Sequence, residues 1–221
     1  MLRRVRRRLY LMRHAEVSYV GERDPQIVPL TDRGREQAAA AGRALADVEF
    51  DAVVTSSLPR TVETAALVAS AHEPTRWPEL AEWRGGRLDD VPRDELEALF
   101  VGSLHAVDEA AQFLGGESLG EALDRILPAF DRLLAQEWET ALAVLHGGVN
   151  RILISHALAG GRTYFGKFEQ APACINVLDL GTDGWIVRTV NYIPYDPLHP
   201  ARTTTMEHLW SELKPWLDEH T

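Results

Sequence analysis

Leu9–Val20 reads LYLMRHAEVSYV: four apolar residues, then at once Arg13 and His14. The apolar run has the length of a short buried strand, and a charged pair does not belong in the core such a strand enters. In α/β proteins the carboxyl ends of strands are where ligands sit, so the pair gains meaning if other strands end in the same way. Two do. FDAVVTS, Phe50–Ser56, reads as a second strand, and Arg60 falls early in the helix after it. TALAVLH, Thr140–His146, reads as a third, followed by Gly147-Gly148 and a helix start. If these strands are parallel, Arg13, His14, Arg60 and His146 converge on one crevice lined by helix N-termini, which favour anions. Two guanidiniums offer forked donors suited to phosphate, and the glycines let backbone approach a ligand. A histidine among cations loses affinity for its proton, which leaves a neutral, nucleophilic imidazole.

The elements between these strands are helical. LTDRGREQAAAAGRAL has Thr31 as N-cap and four consecutive alanines, and a second helix is predicted over Leu58–Ser70. The stretch His72 to Gly116 reads as loop-rich and acidic, with short helices around Asp94–Phe100 and Val107–Phe113. Ser118 and Glu121 have capping-box spacing at the head of a long amphipathic helix, which Pro128 is expected to bend. GGVNRILISHAL is a further helix, and CINVLDL and GWIVRTVNY are strands joined by a Gly181–Gly184 turn. A short C-terminal helix carries Trp210 and Trp216. Alternation of this kind predicts an α/β fold: a three-layer α/β/α sandwich around a mostly parallel sheet, with the last two strands as an edge hairpin.

Composition narrows the function classes. The 221 residues carry a formal net charge of −10, which argues against a general nucleic-acid partner, although a local arginine cluster can still hold an anion. Cys174 is the only cysteine, which excludes an internal disulfide and a cysteine-rich metal knuckle. The arginine-rich start, MLRRVRRRLYLM, lacks the apolar region of a signal peptide, because Arg13 and His14 interrupt it; it reads as a frayed, solvated terminus. No run approaches the ~18 apolar residues of a membrane span. The expectation is a cytoplasmic protein in one domain, residues 1–221, with no membrane partner. Nothing in the sequence fixes its oligomeric state.

LMRHAE, LTDRGREQA, SSLPRTVETA, LAE, GGES and VLHGGVNR occur in this order along the chain. In that order and spacing they resemble the histidine phosphatase, or phosphoglycerate-mutase-like, superfamily over nearly the whole length. The resemblance implies that His14 is the nucleophile and forms a phosphohistidine. It places Arg13, Arg60 and His146 on the phosphoryl oxygens, Gly147 beside them, and Glu82 as proton donor. It also implies a lid-like insertion at about residues 83–116 and chemistry without metal or cofactor. Phosphoryl transfer needs an in-line nucleophile, neutralised equatorial oxygens and a proton for the leaving alkoxide, and this set supplies each. For its role Glu82 needs a raised pKa, which a wall such as Trp83 would provide by desolvation.

Two positions depart from the family's pattern. Ala15 stands where a glycine is usual, and Val20 where many members carry asparagine, so that Ser18 or a backbone amide would have to supply a contact. Within the family, a mutase needs extra cations on the distal side of its site. The segment after Glu82 instead sets Asp89, Asp90, Asp94, Glu95, Glu97, Asp108 and Glu109 against Arg84, Arg87 and Arg93. The reading is a phosphatase acting on a small phosphate monoester, with a mutase or a phospho-ligand-binding pseudo-enzyme as alternatives. Tyr19, Trp83, Phe100, Leu104 and Phe113 are expected to give the lid an apolar contact surface. His72, His105, His208 and His220 read as solvated, His156 as a surface or packing residue, and His199 as a neighbour of the site.

Overall fold

The structure, a computed structural model, describes residues 6–21, 24–102 and 108–220. Its sheet is built from β1 (Arg7–Arg13), β2 (Ala52–Thr55), β3 (Thr75–Arg76), β4 (Thr140–Leu145), β5 (Ile175–Gly181) and β6 (Gly184–Tyr192). Helices α1 (Asp32–Ala44), α2 (Pro59–Val68), α3 (Arg93–Gly102), α4 (Leu119–Leu134), α5 (Gly147–Ala159) and α6 (Thr205–Glu219) cover it. The strand order is β3-β2-β4-β1-β5-β6. The first four run parallel; β5 is antiparallel to β1 and forms an edge hairpin with β6. The expected α/β architecture with a mostly parallel sheet is therefore present.

Alternation along the strands builds two cores. Leu9 and Leu11 of β1 and Ala141, Ala143 and Leu145 of β4 face α4 and α5. Met12, Leu142 and Val144 face the opposite way, onto α1 and α2. Each layer starts where its sequence says it should. Thr31 Oγ1 accepts from Gly34 N, Pro59 opens α2 at a position where a missing N–H costs nothing, and Ser118 and Glu121 form the full capping box on α4. Gly34 has a tertiary reason as well: a Cβ there would lie 2.2 Å from the Glu16 carbonyl oxygen. Helix α1 therefore packs backbone-close against the chain leaving β1.

Three expectations need correction. Thr75–Arg76, read as loop, pairs with the end of β2 as a two-residue edge strand. Residues 108–113 hold turns and a bridge from Gln112 to Ser118, not a helix; Val107 lies outside the described residues. Of the described residues expected to give a lid an apolar contact surface, Trp83 and Phe113 are half-buried and only Phe100 is withdrawn from the surface. Phe100 is buried against Phe113 and Trp210, in a third core that α3 shares with α6, while Leu104 lies outside the described residues.

Candidate active site

Strands β2, β4 and β1 are neighbours, and the polar residues singled out in the sequence lie at their carboxyl ends. Arg13 pairs in register with Leu145, so the next residues of the two strands, His14 and His146, lie side by side. Their rings meet edge to face with centroids 5.2 Å apart. Arg60 reaches the same point from the first turn of α2 and is 4% exposed.

Local contacts set the protonation of His14. Its Nδ1 lies 2.7 Å from the Ala15 carbonyl oxygen. A carbonyl only accepts, so Nδ1 carries the proton and Nε2 keeps its lone pair. Burial, followed by the charges of Arg60 and Arg13, holds this imidazole well below the usual histidine range. The ring is therefore neutral near pH 7. Burial and the same two arginines, with His14 between them in strength, depress His146 likewise.

The donors around these rings are only partly used. Arg13 Nη1 donates to Gln170 O at 2.6 Å, and Arg60 Nη1 to Pro25 O at 2.8 Å. Arg13 Nε, Arg60 Nε and His146 Nδ1 are buried without a hydrogen-bond partner. Each such group costs on the order of 1–3 kcal/mol. Three of them on the residues surrounding one neutral histidine describe a cradle for an anion with several oxygens. Gly147 keeps it open: a Cβ there would press to 3.3 Å from Arg151 Nη1 and 3.6 Å from Arg13 Nε.

Glu82 joins from the segment after β3. Its carboxylate accepts from the amides of Gly148, at 3.1 and 3.2 Å, and Val149, at 3.3 Å, so it rests on the N-terminus of α5 directly beyond His146. A Cβ on Gly148 would stand 2.6 Å from Glu82 Oε1, so glycine leaves the carboxylate its place on the helix terminus. Trp83 is anchored separately, its indole N–H donating to Glu117 O at 2.7 Å and its ring meeting Tyr164 edge-on. All six predicted site residues thus gather at one place. Among the described residues no group of His, Cys, Asp and Glu side chains is arranged to hold a metal ion.

Some neighbours are not marked by the sequence. Arg151 is buried one turn into α5, with Nε on Phe168 O at 3.0 Å. Its one signal is the i+4 spacing from Gly147. Ser56 Oγ lies 2.6 Å from His146 Nε2; the serine belongs to a legible motif, but nothing local singles it out. Asn150, buried in the first turn of α5, donates from Nδ2 to Gln170 Oε1 at 3.0 Å and so ties the helix to the loop that receives Arg13. The buried pair Gln170 and Asn176 is linked side chain to side chain, and Gln170 presents its carbonyl to Arg13. Asn191 supports this loop by accepting from Ala171 N rather than by reaching the site. Val20 is exposed, and Ser18 Oγ accepts from its amide. His72, expected to be solvated, is half-buried and bonded to Phe50 O. His156 packs on Phe130, His208 pairs with Glu212, His220 stacks on Trp216, and His199 is exposed; His105 lies outside the described residues.

The family model for the histidine phosphatase superfamily (branch 1) matches residues 9–193. The chain belongs to this superfamily. Among its relatives is a glucosyl-3-phosphoglycerate phosphatase from Mycolicibacterium vanbaalenii, 33% identical over 65% of this chain and 70% of that protein. A probable phosphoglycerate mutase from Erwinia tasmaniensis is 31% identical over 85% of this chain and 94% of its own length. The solved structure of a mycobacterial glucosyl-3-phosphoglycerate phosphatase, a complex with VO3, superposes with a TM-score of 0.67 at 25% identity. That match covers 84% of this histidine phosphatase family member and 99% of the solved chain. Other curated relatives are longer, and this chain spans roughly two fifths of their length. The family's known members thus include both phosphatases and mutases. No described helix of this one is long and apolar enough to cross a membrane.

Proposed function

We propose that this chain is a metal-independent phosphatase that hydrolyses a small-molecule phosphate monoester through a phosphohistidine on His14 Nε2. The observation that carries the reading is the set of buried, unpartnered donors on Arg13, Arg60 and His146 around a histidine whose free lone pair is on Nε2. His14 attacks phosphorus in line with the leaving oxygen, and the two guanidiniums and His146 take up the charge spreading over the equatorial oxygens. Glu82 supplies the proton to the leaving alkoxide and then draws a proton from the water that hydrolyses the phosphohistidine. The likeness to named phosphatases supports the hydrolytic outcome.

A mutase is the second reading, favoured by relatives of that name. Against it stand the cations of the insertion. Arg87 pairs with Asp89, and Arg93 with Asp218, so these two are engaged by carboxylates rather than offered to a second phosphate. A panel of phosphate esters, including p-nitrophenyl phosphate and 3-phosphoglycerate, with released phosphate measured, separates the readings. Phosphate release from monoesters supports the phosphatase. Interconversion of phosphoglycerates without release would replace it with the mutase, and tight binding with no turnover with a phospho-ligand-binding protein.

A further inference from the structure

Ser56 is the last residue before the turn that starts α2, and it is 1% exposed. Its hydroxyl has three neighbours: His146 Nε2 at 2.6 Å, Thr61 Oγ1 at 3.2 Å and the Leu58 amide at 3.5 Å. The Thr61 hydroxyl is committed to Leu58 O at 2.8 Å, so it does not donate to Ser56. The single proton of Ser56 goes either to Thr61 or to His146. The shorter contact is to His146, and the chemistry of the cradle points the same way. A Ser56 that received a proton from Nε2 would leave Nδ1 as a bare lone pair beside the anion. A Ser56 that donates to Nε2 forces the ring proton onto Nδ1, the atom that is buried without any protein partner.

We propose that Ser56 is a positioning residue which, by donating its hydroxyl proton to His146 Nε2, fixes His146 as the Nδ1–H tautomer and so makes it a hydrogen-bond donor to the transferred phosphoryl group. This rests on the phosphatase reading for its consequence, but not for the tautomer itself. The backbone holds the serine to the task. Ser57, the next residue, has φ of +78°, a left-handed conformation that a non-glycine residue adopts at a cost. That turn lets the chain leave β2, keep Ser56 under His146, and still begin α2 in time for Arg60 to reach the cradle. The burial and neighbouring charges that keep His146 neutral make the choice of tautomer consequential, since an imidazolium would donate from both nitrogens regardless.

The test uses the full chain labelled with 15N-histidine. Two-bond 1H–15N correlations near pH 7.5 report which ring nitrogen carries the proton, and the His146 signals are assigned by their loss in His146→Asn. Wild type is expected as Nδ1–H, Ser56→Thr likewise, and Ser56→Ala with the Nε2–H form appearing. With p-nitrophenyl phosphate, kcat/KM is expected to fall about 10- to 100-fold in Ser56→Ala and to recover in Ser56→Thr. Thermal melts identify a variant that merely misfolds; wild type and Ser56→Thr still decide the matter if the alanine variant does. An Nε2–H tautomer in wild type overturns the proposal. So does an unchanged tautomer in folded Ser56→Ala, or a changed tautomer with unchanged kcat/KM. If no ester is hydrolysed, the phosphatase reading fails, and the tautomer spectra still decide whether Ser56 sets the ring proton of His146.

Discussion

At His14 one short hydrogen bond, burial and two neighbouring charges set the state of the ring. The Ala15 carbonyl accepts a hydrogen bond from Nδ1–H, burial and two guanidiniums keep the ring neutral, and Nε2 keeps a free lone pair. His14→Ala should lower kcat by at least ~10³-fold, and acid quench with labelled substrate should trap a phosphoenzyme in wild type alone. The same depressed histidines have a consequence for stability. In the unfolded chain they take up protons near pH ~6.5, whereas in the fold they resist doing so. The unfolded state then binds more protons, so stability falls as pH drops below ~6.5, by up to about 1.4 kcal/mol per pH unit for each histidine. Urea midpoints measured from pH 7 to pH 5 should show this slope, and His146→Asn should flatten it. Glu82 is tested by leaving group. Glu82→Gln should slow alkyl phosphates by ~10²–10⁴-fold in kcat/KM and p-nitrophenyl phosphate much less, because nitrophenolate departs without a proton. Arg60→Ala should damage both alike; equal losses in Glu82→Gln would make Glu82 a structural residue.

Two glycines show how an element's packing divides between stability and chemistry. At Gly34 in α1 the obstacle to a Cβ is backbone, the Glu16 carbonyl at 2.2 Å, which cannot step aside. Gly34→Ala should therefore destabilise by roughly 1–3 kcal/mol or more, visible as a lowered urea midpoint. At Gly148 in α5 the closest obstacle is the end of a flexible side chain, Glu82 Oε1 at 2.6 Å. Gly148→Ala should leave the midpoint little changed while moving the carboxylate off the helix terminus. Its kinetic signature should then match that of Glu82→Gln, with the same dependence on leaving group. A large loss of stability with normal selectivity would show that Glu82 does not depend on this contact.

The molecule as a whole has its candidate site at the parallel part of the sheet and a separate small core beside it. Helix α3, from the insertion, buries Leu96 and Phe100 against Trp210 and Leu213 of α6, more than a hundred residues later. Trp210→Ala should loosen this pair of helices without reaching the sheet. Hydrogen exchange should quicken in α3 and α6 while amides of β1 and β4 keep their protection. If guanidiniums neutralise the phosphate as proposed, exhaustive dialysis against EDTA should leave phosphate-ester hydrolysis unchanged. Activity that vanishes and returns with Zn²⁺ or Mg²⁺ would place the reaction in another class.

Local sequence suffices wherever a signal acts within a few residues. The alternation of strands and helices, the N-cap at Thr31 and the capping box at Ser118 all follow from short-range sterics and hydrogen bonding, and all are present. Strand ends are legible for the same reason, so Arg13, His14, Arg60 and His146 can be placed together once parallel strands are assumed. Contacts between distant segments cannot be read in this way. Thr75–Arg76 is a strand because β2 offers it an edge, and Phe100 is buried because α6 arrives to cover it. In sequence Ser56 is one hydroxyl in a polar turn, and Arg151 one charge on a helix. Their partners, His146 and the loop at 168–169, are set by the register of β4 and by the way the chain returns after α5. Short-range preferences name the elements; which side chains meet depends on how those elements pack, since only packing removes the water that would otherwise satisfy each group separately.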